Sequence, residues 1–386
     1  MFKKILSVLM VVAMVACLFA ACGGNEDAGK SDATTFQIGA IGPTTGDAAI
    51  YGQAVMNAAQ LAVDEINAAG GINGVKLEFK AADDEHNAEK SVNAYNDLKD
   101  WGMQILLGTV TSTPCIAVVE EAYNDNMFML TPSGSAVDCI RYDNAFRVCF
   151  SDPNQGIASA DYIASQKLGT KVAVIYNSSD PYSSGIYEKF MAEAAVKGLN
   201  VVAQGAFTAD TKTDFTVQLQ QAKTAGADLL FLPIYYQEAS LILAQADKMG
   251  YDPAVFGVDG MDGILTLENF DTKLAEDVML LTPFAADAQD KLTQDFVNSY
   301  KAKYNEVPNQ FAADAYDGIY IIKAAIEKSG ATPDMSTEEL CNALKGAMTQ
   351  ITVDGVTGLG MTWTADGEPN KAPKGMKIQN GAYVAM

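Results

Sequence analysis

The composition describes a chain large enough for more than one domain and too acidic to suit a nucleic-acid partner. It has 386 residues, 49% of them hydrophobic, and 26 Lys and Arg against 48 Asp and Glu give a formal net charge of −22. Binding a phosphate backbone needs clustered cations, which this balance disfavours. The single histidine excludes metal sites that need several histidines and most catalytic triads.

The N-terminal segment is typical of a secretory signal followed by a lipid-attachment cysteine. Two lysines precede an almost entirely apolar run, residues 5–21, and this pattern predicts a signal peptide over residues 1–21. The residues before Cys22 resemble a lipobox, whereas Cys17 is a weaker cleavage candidate because apolar residues still follow it. We therefore expect a lipidated Cys22, a polar tether over residues 22–35, and an extracytoplasmic protein anchored to the cell membrane.

Short apolar runs alternate with longer amphipathic segments along the rest of the chain. In the first half, strands are predicted over residues 36–41, 75–81, 104–107 and 127–130, with helices over residues 51–69, 88–101 and 114–126. A second series of strands is predicted over residues 171–176, 201–207, 228–232 and 255–257, again separated by helical patterns. This alternation predicts an α/β fold of two similar lobes with parallel sheets, and a cleft between the lobes for a small ligand.

Hydroxyl-bearing segments follow two neighbouring strands of the first predicted lobe. Residues 109–113 (TVTST) follow the third strand, and Ser133 and Ser135, within LTPSGS, follow the fourth, each before a predicted helix. Hydroxyls and free N–H groups at a helix start can hold an anion, although Ser112 and Ser135 could instead be only N-caps. Two such segments at neighbouring strand ends favour a shared anion, for which a carboxylate is small enough.

The sequence lacks the common enzymatic and nucleotide-binding signatures. Residues 132–136 (PSGSA) do not form the G-x-S-x-G elbow of a serine hydrolase, and neither glycine-rich nucleotide motif occurs. His86, in DDEHN, is expected on a solvated loop rather than in a site. We therefore expect no enzyme, no metal and no cofactor.

Four cysteines remain after Cys17 is removed with the signal and Cys22 is assigned to lipid. They are Cys115, Cys139, Cys149 and Cys341, which outside the membrane could pair in three ways. A turn at RYDN between Cys139 and Cys149 favours that pair, and four buried free thiols are the alternative.

Several blocks in this order resemble the leucine/isoleucine/valine-binding type of periplasmic substrate-binding protein, the receptor of an ABC importer. In the first lobe the blocks are IGPTTG with Tyr51-Gly52, DEINAAGGINGVKLE, AADD, GTVTST and LTPSGS. In the second lobe they are VIYNSSDP before Tyr182, LLFLPI before Tyr235, and FGVDG around Asp259. The resemblance covers the chain from Phe36 to its C-terminus.

The resemblance implies a type I periplasmic-binding-protein fold, in which two Rossmann-like lobes are joined by a multi-strand hinge. Lobe 1 would comprise residues 36–151 and 284–358, and lobe 2 residues 152–283 and 359–386. The implied function is capture of an amino acid, branched-chain or otherwise apolar, by a monomer that passes it to the permease subunits of the importer. The alternatives are a receptor for another small solute, such as a purine nucleoside or an amide, and a sensory lipoprotein.

The resemblance also implies roles for named residues. Ser112 and Ser135 would hold the α-carboxylate, the Ser133 carbonyl and the Ser135 hydroxyl would accept from the α-ammonium, and Asp259 would neutralise that ammonium from the other lobe. The remaining implied cleft residues are Tyr51, Val110, Thr111, Tyr182 and Tyr235.

The sequence departs from the family pattern in two respects. Asp259 stands where Glu is usual, which puts the identity of the ligand in doubt. His86 and Thr111 stand where the best-known members have disulfide-bonded cysteines.

Overall fold

The computed structural model describes residues 34–386, which form two α/β lobes. The predicted signal peptide, the lipidated Cys22 and all but the last two residues of the predicted tether lie outside the described residues. Within residues 34–386, no helix is both long enough and apolar enough to cross a membrane.

The first lobe is built on a five-stranded parallel sheet with the order β2-β1-β3-β4-β5. Its elements are β1 (Phe36–Gly42), α1 (Ala49–Ala68), β2 (Leu77–Asp83), α2 (Ala88–Trp101), β3 (Ile105–Gly108), α3 (Ser112–Asn124), β4 (Phe128–Thr131) and β5 (Ala145–Arg147). Successive residues of β3, Leu106 and Leu107, pack into different buried clusters. Helices therefore cover both faces of the sheet at its centre, which explains why every residue of β3 and β4 is buried.

Local signals set the ends of α2, which has the bounds predicted from the sequence. The Asn87 side chain accepts a hydrogen bond from the Lys90 N–H at 3.0 Å and so caps the first turn. At the other end, Gly102 adopts a left-handed conformation with φ of 102°, which a residue without a Cβ adopts without strain.

The second lobe is built on a seven-stranded sheet with the order β12-β11-β10-β9-β8-β6-β7. Its elements are α4 (Asp152–Gln166), β6 (Val172–Asn177), α5 (Pro181–Lys197), β7 (Val201–Phe207), α6 (Thr216–Ala225), β8 (Leu229–Leu232), α7 (Tyr236–Lys248), β9 (Ala254–Gly257), β10 (Met279–Thr282), β11 (Lys374–Gln379) and β12 (Ala382–Ala385). The strands β6 to β9 are parallel, as predicted. The sequence patterns did not indicate β10, a further parallel strand, or the antiparallel edge that β11 and β12 add.

Three helices between β10 and β11 return the chain to the first lobe: α8 (Lys291–Tyr304), α9 (Gln310–Ser329) and α10 (Thr337–Met348). On α9, the hydroxyls of Tyr316 and Tyr320 donate to the Glu65 carboxylate of α1, at 2.6 and 3.0 Å. The chain then crosses to the second sheet through a segment fixed by a buried ion pair, in which Lys371 lies 2.6 Å from Asp314.

The predicted disulfide between Cys139 and Cys149 is wrong, because all four described cysteines are buried free thiols. The turn at RYDN was expected to bring Cys139 and Cys149 together, but the two thiols have different surroundings. Cys139 lies in a short 3-10 turn with its sulfur 3.8 Å from the Ser112 carbonyl, beside Cys115. The electrostatic neighbours of the Cys149 thiol include Arg147, Asp314 and Lys371 instead.

Candidate functional site

The two serine-bearing loops meet because they leave neighbouring parallel strands, β3 and β4. The Ser133 hydroxyl donates to the Val110 carbonyl at 2.6 Å, and the Ala136 N–H donates to the Ser112 hydroxyl at 3.2 Å. Ser112 is the first residue of α3 rather than its N-cap. The second loop leads into a four-residue 3-10 turn (Val137–Ile140), not into the helix predicted after it.

A buried arginine fixes the second serine loop from behind. Arg147, on the adjacent strand β5, is fully buried, and its guanidinium donates to the carbonyls of Gly134 at 3.3 Å, Ser135, and Ala136 at 3.0 Å. The planar fork of N–H donors on a guanidinium suits several carbonyls at once. Arg147 thus binds only the backbone carbonyls of the loop that carries Ser135. The side chains of that loop remain available to other partners.

The second lobe contributes a tyrosine pair and an aspartate. The Tyr182 hydroxyl donates to Asp259 Oδ1 at 2.6 Å and accepts from the Gly260 N–H at 2.9 Å. The Tyr235 ring stacks on Tyr182 with centroids 4.6 Å apart and planes 7° apart. The Asp259 N–H donates to Gln155 Oε1 at 3.1 Å, so the aspartate is held on both its backbone and its side chain.

Burial dominates the electrostatics of Asp259, which is only 4% exposed. Burial raises the pKa of this carboxyl from 3.8 to about 7, although the hydrogen bond from Tyr182 favours the charged form and offsets part of the increase. A cation placed beside Asp259 would restore the charged form.

Hydrogen bonds and an ion pair join the two lobes across the cleft. Tyr51, from α1 of the first lobe, donates to the Gly260 carbonyl and accepts from the Tyr236 N–H at 3.2 Å. At the cleft mouth, Lys212 of the second lobe pairs with Asp47 of the first at 2.6 Å.

A small cavity lies between the serine loops, the tyrosines and Asp259. Eight of the nine residues predicted for the cleft line it: Tyr51, Val110, Thr111, Ser112, Ser133, Tyr182, Tyr235 and Asp259. Gly260 and Phe311 complete the lining. Ser135 is not in the lining, but it is buried and follows Ser133 on the same loop.

The Ser135 hydroxyl is a buried polar group that still needs a partner. Within the described part of the chain it has no hydrogen-bond partner, a situation that normally costs stability unless a ligand or water satisfies the group. The Asp152 carboxyl lies beside it. Burial raises the pKa of Asp152 well above its usual value, and the neighbouring Ser135 hydroxyl offsets part of that increase.

His86 lies on a loop, as predicted, but its side chain contacts the cavity wall instead of being solvated. The side chain is half-buried, its Nδ1 lies 2.8 Å from the Thr111 hydroxyl, and its ring packs edge-on against Tyr235 with centroids 5.5 Å apart. Burial lowers the pKa of His86 to about 4, which leaves the ring neutral at neutral pH. A hydrogen bond therefore joins the two positions at which the resembled family has cysteines.

Sequence reasoning missed residues that reach the site through long-range packing. Phe311, at the start of α9, places its ring 4.2 Å from that of Tyr51, yet the two residues are far apart in sequence. Glu238 follows the tyrosines in the first turn of α7 and is buried, which raises the pKa of its carboxyl to about 7. The adjacent tyrosines Tyr235 and Tyr236 could have indicated Glu238, which follows them closely in sequence. The local sequence around Phe311 contains no comparable indication.

The cavity is enclosed mainly by aromatic rings and hydroxyls, and several buried carboxyl groups lie in or near its wall. Asp180, like Asp152, Glu238 and Asp259, is buried, and burial raises the pKa of Asp180 to about 6. The Thr113 hydroxyl of the first lobe donates to Asp180 at 3.3 Å across the cleft. Carboxyls with raised pKa values suit a ligand that brings a positive group, while the serine loops offer hydroxyls to a carboxylate.

Comparisons with known proteins all identify binding proteins of one family. A family model described as periplasmic binding protein matches residues 35–382. Leu/Ile/Val-binding protein homolog 3 of Brucella melitensis is 31% identical over 318 residues, which cover 82% of this chain and 84% of that protein. The leucine-, isoleucine-, valine-, threonine-, and alanine-binding protein of Pseudomonas aeruginosa is 29% identical, over 80% of this chain and 82% of that protein.

A solved structure extends the similarity to three dimensions. It is the branched-chain amino acid transporter substrate binding protein LivJ from Streptococcus pneumoniae, crystallised in complex with isoleucine. The match has a TM-score of 0.82 at 29% sequence identity, and covers 91% of this chain and 98% of that chain.

Proposed function

Because this chain belongs to the periplasmic binding protein family, we propose that it captures an amino acid, branched-chain or otherwise apolar, between its lobes and delivers it to an ABC importer. The observation that carries the proposal is the position of Asp259, which faces the serine loops across one buried cavity. An α-amino acid has an ammonium group that can pair with Asp259 and a carboxylate that the serine loops can hold. The names of the relatives from Brucella and Pseudomonas and the isoleucine bound to the pneumococcal protein support this ligand class.

In the proposed complex, the ligand carboxylate is held by Ser112 and by the hydroxyl of Ser135. The ammonium lies between the Ser133 carbonyl and Asp259, and is the cation beside which the buried Asp259 carboxyl takes its charged form. Tyr51, Val110, Thr111, Tyr182 and Tyr235 enclose the remainder, together with the ring of Phe311, which suits an apolar side chain.

The proposed mechanism is closure of the lobes around the ligand. A ligand that contacts both lobes stabilises the closed state by its differential affinity for the closed and open states, and by no more than that. Cross-cleft contacts such as Tyr51 with Gly260 and Lys212 with Asp47 would break on opening. Closure would then present a distinct surface to the permease subunits.

The proposal includes the expected anchor and domain boundaries. A lipidated Cys22 would hold the protein, as a monomer, on the extracytoplasmic side of the cell membrane. Lobe 1 would comprise residues 36–151 and 284–358 and lobe 2 residues 152–283 and 359–386, with the Lys371–Asp314 ion pair in the hinge region.

A thermal-shift screen of the purified protein against amino acids, amides and nucleosides tests this function. Binding to the folded state raises the melting temperature by mass action. We expect isoleucine, leucine, valine, threonine or alanine to raise it, and the matching amides and nucleosides to leave it unchanged. Stabilisation by a nucleoside but by none of the amino acids would contradict the proposal.

A further inference from the structure

A second and larger cavity lies between the lobes, separated from the ligand cleft by the 3-10 turn Asp259–Met261. Its volume is about 470 Å³, which falls within the range of small-molecule sites. The first lobe contributes Val297 of α8 and Val307 of the loop before α9, while the second lobe contributes Leu265 and Tyr383. A molecule bound there would contact both lobes without entering the cleft.

The cavity combines an apolar wall with a buried carboxyl. Val307 is 54% exposed although it is a large aliphatic residue, and Phe284 and Leu265 also line the wall. Asp262 is only 2% exposed, and its Oδ2 accepts from the Gln310 N–H at 2.8 Å. In the part of the chain that the structure describes, no donor lies within hydrogen-bond distance and angle of Asp262 Oδ1, but the Tyr383 hydroxyl is close enough to the carboxyl to favour its charged form and so lower its pKa.

We propose that this cavity binds a small primary amine with an apolar alkyl or aryl body. The ammonium would reach the unpaired oxygen of Asp262, and the body would cover the apolar wall. The charged side chains in the lining favour a cation over an anion, since Asp262 and Asp287 outnumber Lys301. A bare divalent ion is a poorer fit, because the described residues contain no group of three or more acidic, histidine or cysteine side chains placed to hold a metal ion.

The hydrogen bonds around Gln310 connect this cavity to the cleft. The Gln310 side chain donates to the Asp259 carbonyl at 2.6 Å, while its backbone N–H holds Asp262. The Asp262 N–H also donates to the Asp259 carbonyl, at 2.9 Å. An amine on Asp262 therefore acts on the turn that carries Asp259, and this coupling, unlike the binding of the amine, rests on the proposed function.

The test compares pentylamine with pentanol, by thermal shift and calorimetry on the ligand-free protein. We expect pentylamine to stabilise the protein and pentanol, which has the same body without the charge, to have no effect. Asp262→Asn should weaken pentylamine binding about tenfold or more. Ala286→Phe, at the half-buried edge of the cavity, should weaken it by filling the space while leaving Asp262 intact.

Asp259→Asn distinguishes the two sites, since an amine bound in the cleft would contact Asp259. The proposal requires this variant to bind pentylamine as the unmodified protein does, whether or not amino acids bind. Loss of pentylamine binding in Asp259→Asn, or unchanged binding in Ala286→Phe, would overturn it. Failure of the protein to bind any amino acid would count against the proposed function and leave this site unaffected.

Discussion

Replacing Asp259 with Asn should weaken ligand binding and stabilise the ligand-free protein at the same time. Removing one partner of a buried charge pair costs about 3 to 5 kcal/mol, which corresponds to about two to four orders of magnitude in affinity for an amino acid. Asn has nearly the same shape as Asp and keeps an oxygen that can accept from Tyr182. The loss of affinity therefore measures the contribution of the negative charge.

The expected gain in stability follows from the pKa of Asp259. Burial raises this pKa from 3.8 to about 7. The carboxyl therefore contributes fully to stability below its unfolded pKa, and that contribution is lost as the pH rises to about 7. At pH 8 the ionised, unpaired carboxylate costs up to the order of 4 kcal/mol, at about 1.4 kcal/mol for each pKa unit. Asn does not ionise, so the melting temperature of the ligand-free variant should rise at pH 8 and change little at pH 4.

Asp84→Asn is the matched control for this experiment. Asp84 is also fully buried, and burial raises the pKa of its carboxyl to about 7, but it is outside the cavity lining. The control should gain stability at pH 8 and bind amino acids with unchanged affinity, as measured by calorimetry. Wild-type affinity in Asp259→Asn would refute the assignment of its carboxylate to the ligand ammonium.

Three further changes probe the same site. Affinity for an amino acid should increase as the pH rises through about 7, because the ligand selects the ionised form of Asp259, and this pH dependence should vanish in Asp259→Asn. Ser135→Ala should reduce affinity without unfolding the protein, whereas Ser159→Ala, at a fully buried serine of α4, should leave affinity unchanged in the same calorimetric titration. Lys212→Ala, which breaks the partly exposed pair with Asp47, should weaken binding by less than about fivefold, with the difference shrinking at high salt; a larger and salt-independent loss would contradict a role limited to this pair.

The sequence predicted the first lobe well where local signals set the structure. The periodicity of α2 and its capping residues, Asn87 and Gly102, fixed its ends. The serine loops could be placed together because parallel neighbours end at the same edge of a sheet. Features that depend on distant packing were missed, as with Phe311, whose position against Tyr51 depends on how α9 returns to the first lobe.

Errors arose where an isolated residue type was interpreted without its neighbours. His86 lies in an acidic, polar stretch that favours solvent, yet the chain turns there and the ring packs on Tyr235. Cys139 and Cys149 flank a turn, but the intervening residues do not bring the thiols together. In both cases the outcome depended on the direction in which a side chain left the backbone, which neither spacing nor composition encodes.

Calorimetric titration of the purified protein with L-isoleucine, beside the corresponding acid that lacks the amino group, tests the central proposal most directly. We predict one binding site for the amino acid and at least a hundredfold weaker binding of the acid, about 3 kcal/mol, because Asp259 would lose its cation. Equal affinity for the two compounds, or no binding of isoleucine, leucine, valine, threonine or alanine, would contradict it.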